Sequence, residues 1–307
     1  MEKRLWFHDC DKSAWIALFI FFLVMNGCSA QPIKELKKNV DNNTVLWQVS
    51  GKGLMHPSYL YGTFHILCKE DIHFSEELKT ALKSSKEVYM EINLNDPSIL
   101  LNAFSFINMS NEKNLSDLYT PEEYKKVTSY FRDSLHIQMT MLQKMKPYFL
   151  VGLLYPRMMN CRTSSGVEQE LMKLASEDKK DIKGFETMAF QASVFDSIPY
   201  EWQARELLKN IDSFSFYKRQ MDTMIRAYKG QRMDEMLASI SKSEFGSEAF
   251  ENILLKNRNI AWVNKLKTIL PKENVLIAVG AGHLLGESGL ITLLRKEGYR
   301  VDPIFNK

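Results

Sequence analysis

"YLYGTFHILCKED", residues 59–71, ends an apolar strand-like run in Gly62-x-x-His65, and "VLIAVGAGHLLGES" near the C-terminus ends another in Gly280-x-x-His283. After the first motif, Phe74, Leu78, Ala81 and Leu82 recur at helical spacing behind Ser75 as N-cap, and the short strand "EVYMEIN" follows. After the second comes the helix "SGLITLLRKEG", closed by Gly298, and the strand "YRVDPIF". Two copies of strand, Gly-x-x-His, helix and strand predict an α/β fold of two pseudo-symmetric half-units. Upstream, "VLWQVSGKGLMHPSYLYGTFH" alternates apolar and polar residues around Gly51, Gly53 and Pro57, the pattern of a hairpin whose second strand leads into His65.

Residues 98–262 read as a helix-rich insertion between the halves. Thr120 as N-cap with Pro121 in the first turn opens one helix, and "GVEQELMKLASEDKK" is amphipathic. A short strand, Asp181 to Phe185, runs into Glu186 and another helix. The 16 methionines fall mostly at helical apolar positions, where they serve as core filler.

The N-terminus has the form of an address. Lys3, Arg4 and Lys12 precede an apolar run, Trp15 to Met25, shorter than the roughly 20 residues of a membrane span. Small residues follow, which predicts an export signal over residues 1–27. Gly27-Cys28 fits lipoprotein processing with Cys28 lipidated, while Cys28-Ser29-Ala30 also fits ordinary cleavage before Gln31. Residues 28–43 would then be a tether and 44–304 the domain, lipid-anchored at a bacterial cell envelope or, alternatively, soluble periplasmic or secreted. The 40 basic and 37 acidic residues leave a formal charge of +3, too mild to single out nucleic acid. The expected partners are a peptide or small-molecule substrate and the membrane. Apart from Cys10 and Cys28, only Cys68 and Cys161 remain, either a disulfide in an oxidising compartment or two small apolar residues.

A histidine at the carboxyl end of a strand stands where α/β layers bind ligands, and a preceding glycine allows close backbone approach. Gly62, Gly280 and Gly282 are of this kind. One Gly-x-x-His arises easily by chance, but two in equivalent settings would bring two imidazoles across one cleft. With a carboxylate they would form an open site for a divalent metal, which activates water. Glu91 in "VYMEI" is the leading carboxylate, as ligand or general base, because a charge in a buried strand is costly unless paired; the alternative is a solvent-facing edge residue. Glu186 in "GFETMAFQ" could be ligand, general base or a helix-start charge. Arg258 and Asn259 interrupt the apolar face of "LLKNRNIAWV"; Arg258 could steady an oxyanion, although position alone favours an exposed face. His56, His73 and His136 lack a repeated setting, and Ser164-Ser165 lacks the glycines of a nucleophile elbow.

In this order "LYGTFH", "EVYMEI", "GFETMAFQ", "LLKNRNIAW" and "VGAGHL" resemble the TraB/GumN family, part of a wider group with the Tiki proteases and the erythromycin esterase and ChaN-like proteins. The resemblance covers about residues 44–304. It implies two pseudo-symmetric halves presenting both motifs to a common site, with Glu91 and the Arg258-Asn259 pair nearby. It also implies a metal-dependent protease using manganese or cobalt, with His65, His283 and Glu91 holding metal or activating water; zinc suits the same donors. The wider group's other members imply a rival, a non-catalytic binder of peptide or haem, and a third reading has the histidines only bracing the halves. Where Glu91 would have a mate, the second half offers only Asp302, which argues against a two-carboxylate site.

Overall fold

The computed structural model describes residues 43–110, 113–241 and 251–305; the expected signal, the tether up to residue 42 and Cys28 lie outside them. In chain order the strands are β1 (Leu46–Ser50), β2 (Ser58–Thr63), β3 (Leu67–Cys68), β4 (Glu87–Ile92), β5 (Ser164–Ser165), β6 (Asp181–Glu186), β7 (Val275–Gly280) and β8 (Arg300–Ile304). The β1–β2 hairpin turns through Gly51, Lys52 and Gly53, all with positive φ, which explains the glycines at that turn. The register pairs Leu46 with Tyr61 and Val49 with Ser58.

Six strands make one mixed sheet in the order β6-β4-β7-β2-β1-β8, while β3 and β5 form a separate antiparallel pair. Strands β6, β4, β7 and β2 run parallel, so their carboxyl ends share one edge of the sheet. Thr63 lies opposite Gly280, and Ile92 opposite Glu186. The two Gly-x-x-His motifs therefore leave adjacent strands at the same edge, where parallel sheets place ligands. Strand β4 returns on the far side of β7 from β2, whereas β8 returns beyond β1 and antiparallel to it. The two units repeat their element order but not their placement in the sheet.

Every residue of β7 is buried, as expected of a central parallel strand covered on both faces. One face packs Trp47, Leu60, Ile277 and Val279 against Trp262, Val263 and Leu266 of the helix Asn257–Ile269 and against Leu290 and Leu294 of the helix Leu290–Lys296. At about 1.5–3 kcal/mol for each fully buried aliphatic side chain, this layer fixes the strand edge that bears the histidines. The other face is covered by Leu78 and Leu82 of the helix Glu76–Ser84, whose N-cap Ser75 accepts from the Leu78 amide, and by the helices of the middle segment.

Within that segment the helix Pro121–Leu135 starts as read from the sequence, with Thr120 and Glu123 forming a capping box around Pro121. The segment is not confined to helices, because β6 joins the main sheet as its edge strand beside β4. No described helix is long and apolar enough to cross a membrane.

Candidate active site

Glu91, the penultimate residue of β4, has its side chain turned into the protein, 5% exposed. Its Oε2 accepts from Arg258 Nη2 at 2.6 Å and from Gln191 Nε2 at 3.2 Å. Its Oε1 accepts from the Gly280 amide at 2.9 Å and lies 3.7 Å from His283 Nε2. Burial would raise this carboxyl, but the neighbouring His283, Arg258 and His65 and the Gly280 N–H overcome it and hold the group well below the usual carboxylate range. The guanidinium is the permanent charge among them, since burial pushes the His283 imidazole down to about 3 and leaves it neutral near pH 7.

Arg258 joins two carboxylates. Its Nε meets Glu186 Oε1 and Oε2 at 3.0 and 3.1 Å, and its Nη2 reaches Glu186 Oε2 at 2.9 Å. Trp262 Nε1 donates to Glu186 Oε1 at 2.8 Å, and Gln191 Nε2 to Glu186 Oε2 at 3.1 Å. The exposed face that position alone favoured for Arg258 is not what forms: the side chain is 10% exposed. The chain enters its helix through a π-helical turn, Asn252–Lys256, and Nη1 donates back to the Leu254 carbonyl at 3.0 Å. A second carboxylate is therefore present, supplied by Glu186 of β6. Asp302 instead pairs with Arg300, with about half its side chain exposed.

His283, 2% exposed, closes a short 3-10 turn, Ala281–His283, that also contains Gly282. Its Nδ1 lies 2.6 Å from Asn259 Oδ1, while Asn259 Nδ2 donates to the carbonyls of Ser288 and His283. Because the amide nitrogen faces carbonyls, Oδ1 is the acceptor and Nδ1 carries the proton. The lone pair on Nε2 then faces Arg258 Nη1 at 3.2 Å, and the ring packs on Trp262 with centroids 4.5 Å apart.

His65 sits just past β2, its Nδ1 2.5 Å from Glu168 Oε1. Burial lowers its pKa, but the charge and hydrogen bond of Glu168 outweigh this and raise it. A Cβ built on Gly280 would lie 3.1 Å from His65 Nε2 and 3.2 Å from Glu91 Oε1, so both atoms border the bare face of this glycine. A Cβ on Gly62 would meet Leu284 and Ala281 at 3.0–3.2 Å, so that glycine lets the turn bearing His283 pack against β2. Both rings thus face one space beside Glu91. In each ring Nδ1 lies beside a side-chain oxygen, Glu168 Oε1 at 2.5 Å for His65 and Asn259 Oδ1 at 2.6 Å for His283.

The donor types suit a divalent transition ion, with an ionised carboxylate oxygen 3.7 Å from His283 Nε2, and an ion there would take the place of Arg258 Nη1 at that nitrogen. Their spacing is looser than that of a closed cluster. Among the described residues, the group whose ligand atoms all lie within 4.8 Å of one another is Cys68, Glu70 and Cys161. There the cysteines form a disulfide, with Cα atoms 5.6 Å apart, and so offer no thiolate.

Glu168, Gln191, Thr63 and Trp262 were missed in the sequence. Glu168 opens the helix Val167–Glu177 and Gln191 lies within the helix Met188–Asp196, where an acid in a first turn and a mid-helix amide look like ordinary surface residues. Trp262 sits four residues after Arg258 on one helix face, a spacing that could have paired them.

A parallel-edged α/β sheet that gathers two histidines, two carboxylates and an arginine at its carboxyl ends defines a candidate hydrolytic or metal-binding protein. The chain belongs to the TraB/PrgY/gumN family, which it matches over residues 45–303. It is similar to Metalloprotease TIKI1 of Danio rerio, with 24% identity across 85% of this chain and 63% of that protein. Metalloprotease TIKI2 of the same fish is 22% identical across 85% of this chain and 61% of its own. The chain thus spans less than two thirds of either relative. No solved structure matches it.

Proposed function

We propose that the protein is a metal-dependent hydrolase acting on peptides, with its two Gly-x-x-His units serving as half-units of one site. The observation that carries this reading is that His65 Nε2 and Glu91 Oε1 border the bare face of Gly280 while His283 Nε2 stands 3.7 Å from the same Glu91 oxygen. These three residues would hold manganese, cobalt or zinc, and such an ion supplies Lewis acidity and lowers the pKa of bound water. Asn259 keeps the lone pair of His283 on Nε2. Glu186 and Gln191 hold Arg258 against Glu91, where its guanidinium can meet negative charge developing on a scissile carbonyl oxygen. The similarity to proteins named metalloproteases supports the same class.

We further propose that residues 44–304 form the working domain and that the N-terminal segment delivers it to the cell envelope, with Cys28 as a lipid anchor. The test is cleavage of a fluorogenic peptide library by purified protein after chelation and after adding back manganese, cobalt or zinc. Cleavage that disappears on chelation, returns with metal and is absent from Glu91→Gln supports the reading; cleavage indifferent to both treatments refutes it.

A further inference from the structure

We propose that Glu168 is a positioning residue that holds the His65 ring through Nδ1, so that Nε2 is the nitrogen presented to Gly280 and Glu91. For its effect on metal this rests on the metal-site reading above; for its effect on the ring it does not.

An acid in the first turn of a helix is favourable in water, and that alone would leave it exposed. Glu168 is instead buried, with its side chain 7% exposed, where a carboxylate without partners is costly. Its Oε1 takes the Thr63 hydroxyl at 2.5 Å and faces His65 Nδ1 at the same distance. An ionised carboxylate only accepts, so Nδ1 carries the proton.

The backbone around the pair is assembled for this contact. The Val167 amide donates to the Phe64 carbonyl at 3.1 Å, and a Cβ on Gly166 would come within 2.9 Å of the His65 carbonyl oxygen. Strand β3, which starts two residues after His65, pairs with β5, immediately before Gly166, and the Cys68–Cys161 disulfide bridges the same two segments. The start of the helix is thereby fixed to the loop that bears the ring.

The arrangement mirrors that of His283, with one difference. Asn259 supplies a neutral amide oxygen to His283, whereas Glu168 supplies a carboxylate to His65. A charged partner raises the donor strength of the opposite ring nitrogen, so the two histidines are not interchangeable.

The test uses the full chain with 15N-labelled histidine, free of metal and at a pH where the imidazoles are neutral, with His65 assigned from His65→Gln. The expected wild-type ring is the Nδ1–H tautomer with a strongly downfield proton. Glu168→Gln keeps an accepting oxygen without the charge and should move that proton upfield; Glu168→Leu should shift the ring towards Nε2–H. If the leucine variant does not fold, the glutamine variant decides alone. An unchanged proton in Glu168→Gln, or an Nε2–H ring in the wild type, overturns the proposal.

With cobalt(II) as probe, Glu168→Gln should lower affinity about 10–100-fold and have no further effect in a His65→Gln background. An equal loss in both backgrounds would place the effect in the helix and overturn the role. A wild-type chain that binds no cobalt yet shows the Glu168-dependent tautomer would refute the metal reading and support this one.

Discussion

Arg258 is the residue on which the buried charges of the site depend, because Glu91 and Glu186 both lie against it and both are nearly inaccessible. Replacing it by methionine leaves two buried carboxylates without their cation, and breaking a buried pair this way costs about 3–5 kcal/mol. Denaturant unfolding of Arg258→Met should show that loss, and adding Glu186→Gln should restore part of it. Equal stability of the wild type and Arg258→Met would mean that the cluster is hydrated. Gly280 makes a different demand, since its Cβ would press on His65 Nε2 and Glu91 Oε1. Gly280→Ala is expected to keep the fold and weaken divalent-metal binding at least tenfold, measured by calorimetric titration. Glu91 was legible in the sequence because a charge within "VYMEI" conflicts with the apolar strand around it. The burial of Arg258 was not, because a polar run on a helix looks the same whether it faces solvent or a carboxylate pair on another strand.

The Cys68–Cys161 bridge ties β3 to the segment just before β5 across a sequence separation of 93 and stands close to His65 in the chain. Replacing both cysteines with serine should lower stability by about 2–5 kcal/mol, read from urea unfolding, and a change below ~0.5 kcal/mol would show that β3 and β5 pair equally well without it. Lys146 is a second tie within the helical segment. Its ammonium is buried and reaches the carbonyls of Phe106 and Ala192 and the carboxylate of Asp196. Lys146→Met should cost about 2–4 kcal/mol in the same assay. The hairpin, the Ser75-capped helix and both Gly-x-x-His strands could be read from the sequence because periodicity and capping are local. The placement of β7 between β2 and β4 could not, because parallel strands joined by long crossovers leave no register in the sequence between them.

Across the whole molecule, buried tyrosines link stability to pH. Burial raises Tyr61 to about 12 and lifts Tyr119, Tyr148, Tyr155 and Tyr228 as well. A group whose folded pKa exceeds its unfolded value of about 10 stabilises the fold fully below that pH, and the contribution is lost as pH rises through the folded pKa. Stability should therefore decline from about pH 10 upward, and Tyr61→Phe should flatten the part of that decline between pH 10 and about 12. The same packing that buries these rings holds the sheet edge from which both Gly-x-x-His motifs leave, the edge at which one shared metal centre is proposed. The most direct measurement of that centre is cobalt(II) titration of the tag-free chain and of His65→Ala and His283→Ala, each singly. One ion per wild-type chain, with at least a tenfold loss of affinity in each variant, is the expected result. Unchanged affinity in either variant would contradict a shared centre.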